Sequence, residues 1–315
     1  MDKLFRRFGI LTITSVIVLI FVGGIVRATG SGMGCPDWPK CFGSWIPPTN
    51  IDQLPQNYQE IFGEKLKGEV VFNPIKTWIE YLNRLLGVLI GFFVFLTFLF
   101  SFIVYRKSEI KIVIFSFISF LLVGFEGWLG SKVVSSELHP VLITIHMLVS
   151  LLLLGLLILI ILKSFKVNMK YDTFPRNSAI SFLLIISFFL VISQIVFGTQ
   201  IREGIDLAQK SMGDDLRAEW VNSVYGKVLF HGGLSLLILG LHFKIFLKVK
   251  QMSDFVILFK WAKLLFTFVI FSILSGSILG FAGFPAIVQP FHLVFSSIIV
   301  SLQFVVYFLL EPELI

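Results

Sequence analysis

Apolar and polar positions fall into long blocks along this chain rather than into short periods. Eight apolar runs stand out, at roughly 9–28, 78–104, 110–130, 140–162, 177–201, 224–247, 258–281 and 287–310. A helix needs ~20 apolar residues to cross a hydrocarbon core of ~30 Å, and each run meets that length. The runs end in charge, in Gly/Pro clusters or in polar residues. The pattern predicts an all-α membrane protein with eight transmembrane helices. Met1–Arg7 is basic and precedes an apolar run, as in a signal peptide. The run is long, however, and Gly30-Ser31-Gly32-Met33-Gly34 after it reads as a loop, so a retained first helix is expected.

Composition points the same way. Of 315 residues, 56% are hydrophobic and 14% charged, with a mean hydropathy of +0.91. Soluble domains carry about 25% charged residues. The 36 phenylalanines fit a surface that faces lipid. The net charge of +7 invites a nucleic-acid partner, but the placement of the charge argues against one. Lys3, Arg6 and Arg7 precede the first run. Arg106, Lys107 and Lys111 follow the second, Lys163, Lys166, Lys170 and Arg176 the fourth, and Lys244, Lys248, Lys250, Lys260 and Lys263 flank the sixth-to-seventh connection. If the spans alternate, all these segments lie on one side, which the positive-inside rule makes cytoplasmic. The expectation is a multi-pass protein of the cell membrane with both termini cytoplasmic. The outer side then holds a long loop, 30–76, a medium one, 203–222, and short turns near 131–139 and 282–287.

The two halves share a plan. Phe21-Val22-Gly23-Gly24-Ile25-Val26-Arg27 ends the first run, and Val196-Phe197-Gly198-Thr199-Gln200-Ile201-Arg202 ends the fifth. Each sets an arginine at the outer mouth four residues after a glycine. Four spans per half give both halves one orientation, so the expected architecture is two parallel-repeat four-helix bundles, 1–165 and 170–315. A transporter of that kind would break its helices at mid-membrane, whereas the Gly and Pro interruptions here gather at the outer ends.

Ionisable residues in spans are costly and ask for a reason. His146, His231 and His292 lie six to eight residues into the fourth, sixth and eighth runs, a common depth of roughly 10 Å at 1.5 Å per residue. Asn83 holds the matching place in the second run. Two imidazoles at one depth on facing helices can ligate a haem iron from both sides, which pairs His231 with His292. Asn83 pairs with His146, and Arg27 and Arg202 at the rim can meet haem propionates. His242 lies toward the inner side and suits a packing or interfacial role. His139, at the outer start of the fourth span, either caps the site or sits at the interface. Glu80 and Arg84 share a helical face and can pair, or Glu80 can accept a proton or stabilise a cation beside a cofactor. Glu126 either serves the substrate side or pairs with Lys132. Cys35 and Cys41, the only cysteines, lie in the long outer loop and form either a disulfide or a redox-active pair.

The loop Gly30-Ser31-Gly32-Met33-Gly34-Cys35-Pro36-Asp37-Trp38-Pro39-Lys40-Cys41 and the preceding Gly23-Gly24-Ile25-Val26-Arg27-Ala28-Thr29 resemble the haem A synthase family. So do Gly198-Thr199-Gln200-Ile201-Arg202-Glu203 and the order of His146, His231 and His292. Glu80-Tyr81-Leu82-Asn83-Arg84 sits where the family carries Glu-x-x-His-Arg, with Asn83 in place of the histidine. The resemblance implies oxidation of the ring D methyl group of haem O to a formyl group, giving haem A for terminal oxidases. It implies a haem b cofactor on His231 and His292, with Arg202 nearby, in the second half. It places the substrate haem in the first half with His146, Asn83, Arg84 and Arg27, with Glu80 and His146 catalytic, and both sites near the outer face. A haem O synthase partner, membrane lipid and a homo-oligomer are also implied. The competing expectation is a di-haem b-type electron-transfer protein without substrate chemistry. That reading favours ligands at both membrane faces, whereas the matched histidines share one.

Overall fold

The computed structural model describes residues 1–63, 72–166, 177–252 and 255–311. Lys170 and Arg176, counted above on the basic side, lie outside these residues, as does 64–71 of the long loop. Among the described residues the helices are α1 Asp2–Ala28, α2 Tyr58–Gly63, α3 Pro74–Tyr105, α4 Ile110–Ser135, α5 Pro140–Lys166, α6 Ser178–Met212, α7 Tyr225–Lys250, α8 Val256–Phe281 and α9 Val288–Leu310. All but α2 are long and apolar enough to cross a membrane. The chain is a multi-pass, all-α membrane protein.

Local chemistry sets the helix starts. Pro74 and Pro140 open α3 and α5, where a missing N–H costs nothing. Asn73 and Asn177 cap α3 and α6 by accepting from the N–H groups of Lys76 (3.1 Å) and Ile180 (3.2 Å). Inside the spans, serine and threonine hydroxyls mostly turn back to a carbonyl three or four residues earlier, as Ser116 does to Ile112 and Thr144 to Pro140. A hydroxyl satisfied within its own helix makes no demand on lipid. Phe92, Val88, Phe189 and Leu236 are exposed on the outer surface of the helices. In water such a surface would aggregate, but in a bilayer it is solvated.

Two boundaries differ from the expectation drawn from hydropathy. The first span starts at Asp2, so Lys3, Arg6 and Arg7 lie within its first turns rather than ahead of it. Arg6 donates to the Ser164 carbonyl of α5 at 2.7 Å and stacks over Phe165. The segment 203–222 is not simply a loop. Ile201, Ile205 and Ala208 recur at helical spacing and bury one face against Trp220, Val221 and Val224. That face carries α6 on to Met212, beyond the apolar run. Gly213, at φ +76°, ends the helix and donates its N–H to the Gln209 carbonyl at 2.9 Å. Short 3-10 turns at Asp214–Glu219 and Asn222–Val224 complete the connection.

Helix neighbours close into two rings. α1 packs on α3, α3 on α4, α4 on α5, and α5 back on α1. α6 packs on α7, α7 on α8, α8 on α9, and α9 back on α6. The rings meet along α9, which touches α1 and α5 and is the most buried of the spans. Gly24 permits this approach: a Cβ there would stand 3.0 Å from Pro290 Cα. Small residues are the usual means of bringing helices close in lipid.

Candidate functional site

His231 on α7 and His292 on α9 bring their imidazoles to the same end of the second ring. Their centroids are 6.4 Å apart, with the planes inclined at 60°. The protonation of His292 is fixed by its neighbours. Its Nδ1 lies 3.0 Å from the Ser272 carbonyl and 2.9 Å from Ser275 Oγ. A carbonyl can only accept, so Nδ1 carries the proton and Nε2 keeps the free lone pair. Two glycines make room for the rings. A Cβ on Gly276 would stand 3.0 Å from His292 Cε1, and one on Gly198 would stand 3.5 Å from His231 Cε1.

This pair fits a haem iron held from both faces. A metal–imidazole bond of about 2.0 Å sets trans imidazole centroids about 6.3 Å apart. The observed 6.4 Å matches that span. His231 Nδ1, Gln194 Oε1 and Arg202 Nε are all buried here without a hydrogen-bond partner. Unsatisfied buried polar atoms are rare in finished sites and point to a missing partner. Among the described residues no three His, Cys, Asp or Glu side chains converge as a non-haem metal site would require.

The first ring holds a different arrangement. His146 on α5 turns its Nδ1 to Glu126 on α4, 2.6 Å from Oε2. The ring N–H is off the line to that oxygen, so the contact is close without being an aligned hydrogen bond. Glu126 is thereby assigned: it meets His146, while Lys132 lies over the Trp128 ring instead. Asn83 on α3 has a buried Oδ1 with no partner. An amide offers no nitrogen lone pair to iron, so Asn83 cannot reproduce a histidine ligand.

The long loop is pinned to α3. Cys35 and Cys41 are joined in a disulfide and are fully buried. The Cys35 N–H donates to Glu80 Oε2 at 2.9 Å, and Glu80 Oε1 pairs with the Arg84 guanidinium. Arg84 also donates to the carbonyls of Asp37 (2.7 Å), Lys40 (3.1 Å) and Cys35 (3.3 Å). Thr77 donates to the Gly34 carbonyl at 2.9 Å, and the Tyr81 hydroxyl donates to the Trp45 carbonyl. Gly34 is required by the contact: a Cβ there would lie 2.5 Å from the Lys76 carbonyl oxygen.

A family model described as cytochrome oxidase assembly protein (COX15-CtaA) matches residues 6–304. The chain belongs to this cytochrome oxidase assembly family. Among curated relatives, the heme A synthase of Shewanella oneidensis is 30% identical over 189 residues, covering 60% of this chain and 54% of the relative. That of Ehrlichia canis is 29% identical over 196 residues, covering 58% and 55%. That of Pelagibacter ubique is 29% identical over 211 residues, covering 62% and 60%. The chain thus spans about half the length of the curated relatives it matches.

In this member of the assembly family, the expected residues fall into three groups. His231 and His292 come together; Glu80, Arg84 and the cysteines form the loop anchor; His146 and Asn83 stand at the same end of the first ring. Arg27 and Arg202 meet through a residue the sequence did not single out. Asp206 accepts from Arg27 at 3.0 Å through Oδ2 and from Arg202 at 2.8 Å through Oδ1. Arg202 also donates to Gln289 at 2.7 Å. The four-residue spacing of Arg202 and Asp206 was a visible signal, but the reach of Arg27 across the two rings was not. His242 is buried far from these groups. Its Nδ1 donates to the Ile238 carbonyl (2.8 Å), and Gln303 Nε2 donates to both its Nε2 and Ser187 Oγ at 3.1 Å. That network makes His242 a packing residue of the second ring. His139 is exposed at the start of α5.

Proposed function

We propose that this chain is a haem A synthase, oxidising the ring D methyl group of haem O to the formyl group of haem A. The observation that carries the reading is the His231–His292 pair at 6.4 Å in a member of this family. Haem b would be held by these two histidines, and when bound it supplies one-electron redox chemistry beside the substrate. Ser272 and Ser275 fix the tautomer that presents His292 Nε2 to the iron. Arg202, with an uncommitted buried Nε, would meet a propionate of that haem. These groups are confined to the second ring.

Haem O would occupy the first ring with His146 on its iron and Asn83 on the opposite face. Arg84 and Glu80 hold the disulfide loop at this end of α3. Both carboxylate oxygens of Glu80 are engaged, so its negative charge is fixed where a cation developing on the substrate can be stabilised. Arg27 meets the substrate's propionates from the rim.

Two further points belong to the same reading. The pairs Gly130–His146 and Gly276–His292 have equal spacing in sequence, and in each the glycine faces the ring. That correspondence supports two parallel repeats, 1–165 and 170–315. The basic residues flanking the other ends of the spans support cytoplasmic termini in the cell membrane and haem sites near the outer face. A haem O synthase is the expected source of substrate, and a homo-oligomer is the assembly the family resemblance implies. The test is the haem content of cells that make haem O but have no haem A synthase of their own. Appearance of haem A on expression of this chain is the expected result; haem O that persists with no haem A overturns the reading.

A further inference from the structure

We propose that Glu126 is a positioning residue that tunes the first-half iron ligand, so that one fold holds two haem sites set in opposite directions. The inference rests on the function proposed above and concerns this chain's own ligand environment. The comparison is internal. Counted back from the two histidines, Glu126 and Ser272 occupy the same place: each lies four residues before the glycine that faces the imidazole. Each belongs to the helix packed against the ligand's helix, α4 against α5 and α8 against α9. In the second half, what meets Nδ1 is neutral, the Ser272 carbonyl and the Ser275 hydroxyl. In the first half it is a carboxylate, 2.6 Å away.

The carboxylate has little else to do. Glu126 is 8% exposed, and its Oε1 is buried without a hydrogen-bond partner. Among the described residues its ion-pair partner is His146. A buried carboxylate without a donor is costly, and the imidazole 2.6 Å from Oε2 is the group placed to offset that cost. Conversely, an imidazole whose N–H is given to a carboxylate is a stronger donor to a metal than one backed by a neutral acceptor. The ring N–H is off the line to Oε2 here, and hydrogen bonds of catalytic groups often align only once a ligand fixes the ring.

Asn83 completes the contrast. On α3, across the first ring from α5, it offers an amide, not an imidazole, and its Oδ1 is buried and unpartnered. A haem iron held in the first half would have His146 as its imidazole ligand, with the amide of Asn83 rather than a second imidazole from α3. A haem iron held in the second half would have the two imidazoles of His231 and His292. An electron-rich iron with a single imidazole suits oxidation of its own macrocycle, and a neutral-backed iron with two suits electron transfer.

The test uses the full-length protein purified with both haems, comparing wild type with Glu126→Gln, Glu126→Asp and Ser272→Glu. The readouts are the iron–histidine stretching frequency of the reduced first-half haem and the midpoint potential of each haem. Glu126→Gln is expected to lower the stretching frequency and raise the first-half potential while the second-half potential stays in place. Glu126→Asp should restore most of both. Ser272→Glu, which places a carboxylate behind His292, should lower the second-half potential, and it tests the idea even if Glu126→Gln does not accumulate. Unchanged frequency and potential in Glu126→Gln, or an unmoved second-half potential in Ser272→Glu, overturns the inference. His146→Ala separates the two levels. If it leaves every haem signal unchanged, the proposed function fails and this inference with it. If it abolishes the first-half signal while Glu126→Gln changes nothing, only the inference fails.

Discussion

The imidazoles of His146 and His292 stand at corresponding points of two helix pairs, yet their surroundings differ in kind. Around His292 the polar groups close on one another: Nδ1 is satisfied by Ser272 and Ser275, and His231 faces it across 6.4 Å. Around His146 they do not close. Glu126 Oε1 and Asn83 Oδ1 are buried and unpartnered, and the end of the ring is covered by a loop held on by Glu80 and Arg84. The difference is one of what backs the imidazole: a neutral carbonyl and hydroxyl at His292, a carboxylate at His146. The second site is not closed throughout, since His231 Nδ1, Gln194 Oε1 and Arg202 Nε are also buried without a partner. What sets the first site apart is the carboxylate of Glu126 beside His146 and the loop tethered to α3 by Glu80 and Arg84.

The sharpest way to break this contrast is to remove a ligand. His292→Ala or His231→Ala should abolish the b-type absorbance of the second-half haem, read by reduced-minus-oxidised difference spectra of the purified protein. Persistence of the full signal would mean that the paired rings are ordinary core packing.

The next effect concerns the loop anchor. Glu80→Ala leaves Arg84 buried without its partner, and breaking a buried pair on one side costs about 3–5 kcal/mol. Thermal unfolding in detergent should show that loss, with the second-half haem spectrum unchanged below the transition. A double change, Glu80→Leu with Arg84→Leu, should be milder in stability than Glu80→Ala while still abolishing substrate oxidation. Gly34→Ala should cost less, about 1–3 kcal/mol, because the loop backbone must retreat from the Lys76 carbonyl. The same melting experiment checks it.

The smallest effect sharpens the relation between the halves. Asp206→Asn loosens Arg27 from Arg202, and half-exposed ion pairs are worth about 0.5–1 kcal/mol. Stability should hardly move. The binding of substrate haem should weaken if Asp206 aims both guanidiniums, a shift that titration of haem O into the purified protein would record.

Much of the fold is legible in the amino-acid sequence. Lipid demands long uninterrupted apolar runs, so the eight spans follow from hydropathy alone, and the shared end of the histidines follows from counting along them. The extension of α6 to Met212 is hidden because hydropathy falls after Ile201, although Ile201, Ile205 and Ala208 keep the helical period. The partner of Glu126 is hidden for another reason. It lies on a neighbouring helix, and only the register of α4 on α5 decides between His146 and Lys132. Asp206 shows the same limit, since nothing local tells that α1 delivers Arg27 to it. Residues whose role is set within one helix can be found from sequence; those whose role depends on how two helices slide against each other cannot.

The central claim is that the two rings hold different haems for different ends. Its most direct test is to extract and identify the haems bound by purified His146→Ala protein from cells that supply haem O. The account predicts that haem b remains at the wild-type ratio while haem O and haem A are lost. Loss of haem b with retention of haem O or haem A would contradict it.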